Sequence, residues 1–371
     1  MFKTDILFTG FYGHKNTGDD AFVEVASWGA KRVWKKNNVR FLAKNNNLPH
    51  TVTPSKAFPF RIPKTFSLQL DLLLKNTDFL ISAGGSTIHS KMKESNPKVK
   101  ALKLKEKKGK IQIGGIGVSV GPFKSIEDEK SVEKYLKSID FLSVRDQASY
   151  DYVSRLHLPY KPVNSFDLAA LLPDIYQFHG KDNVKTTKTI GISVCPFESL
   201  DITLPNQKEE IRNKKMVDLI KKLDQIDNIC FRFYVINGNN KIGDYNLTKW
   251  TIEQAAPKKY ELINYSADTC SIWKSIAECD FVISTRLHAA IFACFAGTPF
   301  MLNEYHRKCS DFLENVGYQD RCRLYNNEYD VVEKASQIIE IINNPDSERF
   351  VASRVNEMRE LARLNFTAIN L

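Results

Sequence analysis

The chain has 371 residues, of which 43% are hydrophobic and 26% are charged, and its formal net charge is +10 at pH 7. These values exclude a disordered or collagen-like chain, and the length predicts two folded domains of roughly 150 to 200 residues each. The positive charge favours acidic partners, but no helix-turn-helix or RNP-type motif is present, so nucleic acid is not expected among them.

The N-terminal residues Met1 to Gly10 enter an apolar strand without the basic head and cleavage site of a secretion signal. No apolar segment approaches the roughly 20 residues that span a bilayer. Seven cysteines are scattered without a Cys-x-x-Cys pair or a histidine at zinc-finger spacing, which indicates reduced thiols and no metal site. We therefore expect a soluble cytoplasmic protein.

Apolar runs rich in β-branched residues alternate with helical patterns along the first half of the chain, as parallel βαβ units require. Residues 1–172 are therefore predicted to form an N-terminal α/β domain. The stretch 173–189 contains Gly, Pro and charged residues without a period, and it predicts a linker. A second set of strands and helices predicts a C-terminal α/β domain over residues 190–345.

The helical pattern of residues 346–371 predicts a closing helix. By analogy with twin-domain folds of this size, this helix is expected to cross back to the N-terminal half. The predicted fold class is α/β, with two doubly wound, Rossmann-like domains that face each other across a cleft.

A glycine-rich turn after the first strand contains Gly13 and Gly18 and is followed by Asp19 and Asp20. The two aspartates stand where a P-loop needs lysine and serine or threonine, and the glycines miss the dinucleotide spacing. Acidic residues at a helix start stabilise the helix dipole, which is the structural interpretation. Alternatively, Asn16, Asp19 and Asp20 accept hydrogen bonds from a polyhydroxyl ligand such as a sugar.

A second turn, Gly84-Gly85-Ser86, follows another predicted strand. Glycines at such a place let a ligand or a second segment of chain approach the backbone closely. We treat Gly84, Gly85 and Ser86 as further candidates for ligand binding.

Nine lysines occur between Lys91 and Lys110, against two glutamates. One interpretation is the solvated face of a crossover helix. The other is a patch that holds the protein against an anionic membrane or a lipid-phosphate-linked substrate, at about 1 kcal/mol for each basic residue near the surface.

The stretch from Asp280 to Ala290 runs from a buried apolar strand directly into Arg286 and His288, and a small-residue helix follows. Open α/β sheets bind ligands beyond the carboxyl ends of their strands, and a helix N-terminus favours an anion there. Arg286 can bind phosphate or carboxylate in a bidentate manner, and His288 can exchange a proton near neutral pH. The pattern predicts a site for an anionic substrate that must be protonated. Alternatively, the arginine caps the strand and pairs with a nearby acid on the surface.

The same Asp-Phe strand pattern begins at Asp78, Asp140 and Asp280, and Arg145 follows the second strand as Arg286 follows the third. Lys308 stands past a further strand end and is another candidate cation. Several strands are therefore expected to deliver polar groups to one edge of a sheet.

With these motifs the chain resembles the polysaccharide pyruvyl transferase family. The resemblance implies a fold similar to the GT-B glycosyltransferases, phosphoenolpyruvate as donor, and pyruvate placed as a ketal on two hydroxyls of one sugar. The matching segments, in family order, are Gly13 to Asp20, the Ala83-Gly-Gly-Ser turn, Gly115 to Pro122, Ser143 to Asp146, Ser284 to Ala289, and Gly297 to Lys308.

The resemblance also implies the roles of individual residues. Arg286 and Leu287 belong to the donor-site motif with His288 as general acid, and Arg145 is the other donor-binding arginine. Lys308 adds a cation, and the scheme needs no metal or other cofactor. The chain departs from the family pattern at Ala83, where a third glycine is more usual, and at His14, where an apolar residue is common; these departures bear on the acceptor.

Two other functions are consistent with the same residues. A GT-B-type glycosyltransferase would use a nucleotide-sugar donor, and a non-catalytic protein would bind a glycan or a lipid carrier. Under the preferred interpretation the acceptor belongs to a cell-envelope polysaccharide or its precursor, which a lipid diphosphate would carry at the inner face of the membrane. The candidates for the base on the acceptor side are Asp19, Asp20 and Glu304.

Overall fold

The computed structural model describes residues 3–44, 47–58, 64–107, 109–177, 187–200, 205–326, 328–344 and 352–371. The elements up to residue 175 are β1 (Thr4–Tyr12), α1 (Thr17–Arg32), β2 (Val39–Ala43), β3 (Lys56–Phe58), α2 (Phe66–Leu74), β4 (Thr77–Ala83), α3 (Pro97–Glu106), β5 (Gln112–Val118), α4 (Ile126–Leu136), β6 (Phe141–Val144), α5 (Gln147–Ser154), β7 (Val163–Asn164) and α6 (Leu172–Ile175). The later elements are β8 (Lys188–Ser193), α7 (Gln207–Leu223), β9 (Ile229–Tyr234), α8 (Tyr245–Ala255), β10 (Tyr260–Ile263), α9 (Thr269–Ala277), β11 (Phe281–Ser284), α10 (Leu287–Ala296), β12 (Phe300–Leu302), α11 (Arg307–Asn315), α12 (Val331–Asn343) and α13 (Val355–Thr367).

The chain divides into two compact units. The first comprises Met1–His14, Asp19–Ile175 and Asn356–Leu371, and the second comprises Lys15–Gly18 and Tyr176–Val355. The stretch 173–189, predicted as a linker, is regular at both ends, because α6 extends to Ile175 and β8 begins at Lys188. Its residues 178–186 lie outside the described part of the chain, as do residues 346–351 of the predicted closing helix.

The first unit contains a seven-stranded parallel sheet in the order β3-β2-β1-β4-β5-β6-β7. Its interior strand β1 carries Ile6, Leu7 and Phe8, none of which has exposed surface. Such a continuous apolar run forms where helices cover both faces of a parallel sheet. The strand order reverses between β1 and β4, which places the ligand-binding edge of a doubly wound sheet past Tyr12 and Ala83.

Helix α13 belongs to the first unit from Asn356 onward and is fixed there by buried polar contacts. The Trp34 indole N–H donates to the carbonyls of Phe366 and Ile369, each at 2.9 Å. Asn365 has no exposed surface, and its amide accepts from the Ser143 hydroxyl at 2.6 Å. The last helix of the chain therefore completes the core of the unit that contains β1.

The second unit contains a five-stranded parallel sheet in the order β10-β9-β8-β11-β12. All four residues of β11 are buried, and helix α10, which follows it, is buried at eight of its ten positions. Here the strand order reverses between β8 and β11. The predicted α/β class with two Rossmann-like parallel sheets is confirmed. In the part of the chain that the structure describes, no helix has the length and apolar character needed to cross a membrane.

The lysine-rich segment is less cationic at its surface than its composition suggests. Helix α3 covers only Pro97–Glu106 of it, and Lys108 lies outside the described residues. Lys98 is 5% exposed, and its Nζ donates to the Thr87 carbonyl at 3.0 Å. Four further lysines form ion pairs: Lys91 with Glu127, Lys100 with Asp71, Lys103 with Glu94, and Lys105 with Asp140.

The buried Lys98 gives a testable pH dependence of stability. Burial lowers the pKa of Lys98 to about 8, from an ordinary value of 10.5. Below pH 8 the folded chain carries the whole cost of the buried charge; between pH 8 and 10.5 it releases a proton that the unfolded chain still binds, so stability rises with pH. We expect wild type to gain about 3 kcal/mol of unfolding free energy relative to Lys98→Met over this range.

Urea unfolding of both proteins at about pH 7 and about pH 10.5 measures this difference. The exposed Lys93 supplies the control, because wild type and Lys93→Met should differ by the same amount at both pH values. A difference between wild type and Lys98→Met that stays constant with pH would contradict the prediction.

Candidate functional site

The candidate site of the second unit lies where the strand order of its sheet reverses. Ser193 and Ser284 pair at the carboxyl ends of β8 and β11. Arg286 then takes the position before helix α10, and the buried Leu287 is the first residue of that helix. The Ser284 hydroxyl donates to the Arg286 carbonyl at 2.6 Å, which fixes the turn. Open α/β sheets bind their ligands at this position.

A buried carboxylate holds Arg286 in place. Its Nε donates to both oxygens of Asp244, at 2.9 and 3.0 Å, and its Nη2 donates to Oδ1. The Asp244 side chain has no exposed surface, whereas that of Arg286 is 19% exposed. Burial raises the pKa of Asp244, and the charge of Arg286 opposes that shift. The backbone N–H of Asn237 donates to the same carboxylate at 2.8 Å, so Asp244 also fixes the loop after β9.

His288 is the second residue of α10, and the segment 15–18 lies directly against its ring. A Cβ atom at Gly18 would lie 2.2 Å from Nδ1 of His288, so only glycine fits there. Thr17 attaches this segment to the second unit, because its N–H donates to the Ile236 carbonyl at 3.0 Å. Asn16, a predicted acceptor ligand, accepts from the Gly18 N–H at 3.0 Å and thereby shapes this turn.

Aromatic and basic side chains form a further part of the site. The ring centre of Tyr305 lies 5.3 Å from the guanidinium carbon of Arg212 and 5.7 Å from Nζ of Lys308. Phe197, which follows β8, packs its ring 5.0 Å from that of Tyr305. Burial raises the pKa of the Cys195 thiol and that of Tyr305, with which Cys195 forms a hydrogen bond. Lys308 therefore contacts an aromatic residue of the site, and the thiol next to Tyr305 is neutral.

Arg145 lies in the first unit, directly past β6, and is held by three neighbours. Its Nε donates to the Ser119 hydroxyl at 2.8 Å, and its Nη1 donates to Asp167 at 2.7 Å. Its Nη2 lies 3.4 Å from the Ser86 hydroxyl, which joins it to the turn after β4. The side chains of Arg145 and Asp167 are 10% and 6% exposed.

The turn after β4 lies beside the start of helix α1. Gly84 and Gly85 have φ values of +72° and +75°, a region that favours glycine. A Cβ at Gly84 would lie 2.4 Å from the Phe22 ring, whereas one at Gly85 would lie 4.0 Å from Oδ1 of Asp19. Asp19 is half-buried and close to the turn, while Asp20 is only 2% exposed, which favours the structural interpretation for Asp20.

The repeated Asp-Phe pattern has a structural cause. The carboxylate of Asp140 accepts from the Ile113 N–H at 2.8 Å, and that of Asp280 accepts from the Thr189 N–H at 2.8 Å. In each case the aspartate stands before a strand and binds the start of the neighbouring strand. The pattern therefore fixes the register of the two strands that lead to Arg145 and Arg286.

The structure groups the predicted site residues within the two units. Arg286, Leu287, His288, Lys308 and Asn16 belong to the second unit, and Arg145, Asp19, Asp20, Gly84, Gly85 and Ser86 belong to the first. Among the described residues, no group of three or more His, Cys, Asp or Glu side chains is arranged to hold a metal ion.

Several neighbours of the predicted site residues carry no clear signal in the sequence. Asp244 directly precedes α8, so the sequence suggests an ordinary helix cap. Asp167, Cys195 and Tyr305 belong to no recognisable motif. Glu304, a candidate base, is 3% exposed at its side chain and accepts from Nε of Arg323 at 2.7 Å. The ion pair with Arg323 thus occupies this buried carboxylate.

A sequence model of the family described as polysaccharide pyruvyl transferase matches residues 16–307. The chain belongs to the polysaccharide pyruvyl transferase family. The matched range contains Arg145, which follows β6, and Arg286, which follows β11, as well as His288.

This pyruvyl transferase family member is similar to the amylovoran biosynthesis protein AmsJ of Erwinia amylovora, with 23% identity over 268 residues. The alignment covers 66% of this chain, and the chain spans 62% of the length of that relative.

Two solved structures have a similar fold. One is a putative UDP-N-acetylglucosamine 2-epimerase from Listeria monocytogenes, at 9% identity, with 99% and 98% of the two chains covered and a TM-score of 0.59. The other is Anabaena Alr3699/HepE in complex with UDP-glucose, at 13% identity, with 98% and 95% covered and a TM-score of 0.55. These likenesses show the fold, which is GT-B-like as the sequence resemblance implied.

Removal of the buried carboxylate should destabilise the pyruvyl transferase family member and release Arg286. Asp244→Ala leaves a guanidinium with no counter-charge and frees the Asn237 N–H, so we expect the unfolding free energy to fall by about 3 kcal/mol. Urea unfolding measures this loss, and Asp227→Ala, at an exposed site of the same unit, is the matched control. Equal stability of the two variants would show that the ion pair contributes nothing.

Proposed function

We propose that this chain transfers the pyruvyl group of phosphoenolpyruvate to two hydroxyls of a sugar in a surface polysaccharide or its precursor. The products are a pyruvate ketal and inorganic phosphate. The proposal depends on one observation above all: a guanidinium fixed by a buried carboxylate stands at the carboxyl end of β11, and a histidine follows it in the first turn of α10.

The donor carries a carboxylate and a phosphate, and both are anions that suit arginine. Arg286 uses Nε and Nη2 to bind Asp244, and the remaining edge of its guanidinium would contact the donor. The N-terminus of the ten-residue helix α10 adds a partial positive charge at the same place. Arg145 is the second proposed donor ligand, and Leu287 and Lys308 complete the donor set.

The chemistry requires one proton at carbon and one leaving group. The oxygen of a sugar hydroxyl bonds to C2 of the enol and loses its proton to solvent. The C2–C3 double bond becomes a single bond as His288 protonates the methylene C3, which becomes the methyl group. The C2–O bond to phosphate then breaks, and the cations offset the charge of the departing phosphate. The second hydroxyl bonds to C2 and loses its proton, which closes the ketal.

The proposed acceptor is a sugar bound in the first unit, near Asp19 and the turn that contains Gly84, Gly85 and Ser86. A lipid diphosphate is the proposed carrier of this sugar. Contact with an anionic membrane would then rest on Lys93, Lys107 and Lys110, which are exposed. The cytoplasm is the proposed location of the reaction.

Donor binding tests the roles of the two arginines. We expect Arg286→Lys and Arg145→Lys each to weaken phosphoenolpyruvate binding by about 10- to 100-fold, because lysine cannot form the bidentate hydrogen bonds of a guanidinium. Isothermal titration calorimetry with phosphoenolpyruvate and, separately, UDP-glucose measures the affinities.

Arg232→Lys is the control, since this arginine also belongs to the second sheet but pairs with Glu261. Unchanged phosphoenolpyruvate binding in Arg286→Lys would exclude the proposed donor site. Saturable binding of UDP-glucose without any response to phosphoenolpyruvate would instead favour a glycosyltransferase.

Loss of the proton donor should affect turnover and not binding. We expect His288→Gln to lower phosphate release by about 10²- to 10⁴-fold while phosphoenolpyruvate affinity changes little. In D₂O, wild type should place one deuterium in the methyl group of the ketal, which NMR detects. His157→Gln, at an exposed histidine, is the control. Wild-type turnover by His288→Gln would rule out this residue as the acid.

A further inference from the structure

An exposed aromatic stack lies at the carboxyl end of β1. The rings of Phe11 and His14 are nearly parallel, with an angle of 11° between their planes and 3.8 Å between their centres. Phe11 is 46% exposed, although it belongs to an interior strand of its sheet. The stack therefore presents aromatic surface at the end of this strand.

The stack stands where the first sheet reverses its strand order. Tyr12, next to Phe11, donates from its hydroxyl to the carbonyl of Ala83 at 2.7 Å, which ties the end of β1 to the turn after β4. The charge of Asp19 contributes to raising the pKa of Tyr12, after burial, so this carboxylate is near the same strand end. Beside it, a Cβ built at Gly85 would make only ordinary van der Waals contacts, the nearest with Cγ2 of Thr87 at 3.8 Å, and would lie 4.0 Å from Oδ1 of Asp19.

We propose that the Phe11–His14 stack is a platform that binds the apolar face of an acceptor hexopyranose, with Asp19 accepting hydrogen bonds from the hydroxyls of this sugar. The inference rests on the proposed function for the role of this sugar as acceptor. A pyranose has C–H groups on one face and hydroxyls at its rim, so a flat apolar ring with a carboxylate nearby matches both parts.

The charges near the stack favour a neutral polyol over a phosphate. Asp19 and Asp20 both lie in the first turn of α1, and two carboxylates repel a phosphate. Burial and the charge of Lys44 lower the pKa of His14, so its ring is neutral at neutral pH and stacks as an uncharged aromatic. The histidine that departs from the family pattern thus becomes half of the platform.

Saturation-transfer NMR tests the platform directly. The probes are the methyl glycosides of galactose, glucose, mannose and N-acetylglucosamine, with UDP as the nucleotide probe, each with and without phosphoenolpyruvate. We expect at least one glycoside to bind wild type and to lose about tenfold in affinity in Phe11→Ala. His14→Phe keeps a stack and should retain binding, whereas His14→Ala should not.

Phe66→Ala is the matched control, because Phe66 lies in the same unit and is 47% exposed. Equal glycoside affinity of Phe11→Ala and Phe66→Ala would overturn the proposal, as would binding of UDP alone or of no glycoside at all. Failure of the proposed function gives a different result, in which a glycoside binds in a Phe11-dependent manner while phosphoenolpyruvate does not bind.

Discussion

The ion pair between Asp244 and Arg286 is the constraint on which the second unit depends. Asp244 has no exposed surface, so it must be matched by a cation, and Arg286 is the cation at the end of β11. The same carboxylate accepts from Asn237, whose loop binds the segment 15–18. Gly18 of that segment then lies against His288. One buried charge therefore determines where the guanidinium, the imidazole and a distant loop are found.

Each unit uses the same local solution at its own sheet edge. An aspartate before the strand binds the neighbouring strand, and an arginine after the strand pairs with a second, buried aspartate. For Arg145 that partner is Asp167, and for Arg286 it is Asp244. A side chain with five donors has many conformations, and a buried carboxylate selects one of them before any ligand arrives.

The alternation of apolar strands and helices made the fold class predictable, and the strand that runs into Arg286 and His288 made it predictable that both residues follow a strand end of the second sheet. Both signals are local in sequence. Asp244 lies 42 positions from Arg286, and Gly18 meets His288 across most of the chain, so neither contact has a local signal. The burial of Lys98 has no local signal either. In a segment with many lysines the sequence predicts that Lys98 is a surface charge, but the structure buries it beneath the turn after β4.

Gly18 and Phe11 differ in the substitutions that the structure allows. A methyl group at Gly18 would overlap the His288 ring, so the ring or the backbone at residue 18 would have to move. Phe11, only seven residues earlier, is 46% exposed and stacks on His14 outside the core. A mutational library that seeks new acceptors should therefore keep residue 18 constant and diversify residues 11 and 14, where new side chains leave the scaffold intact.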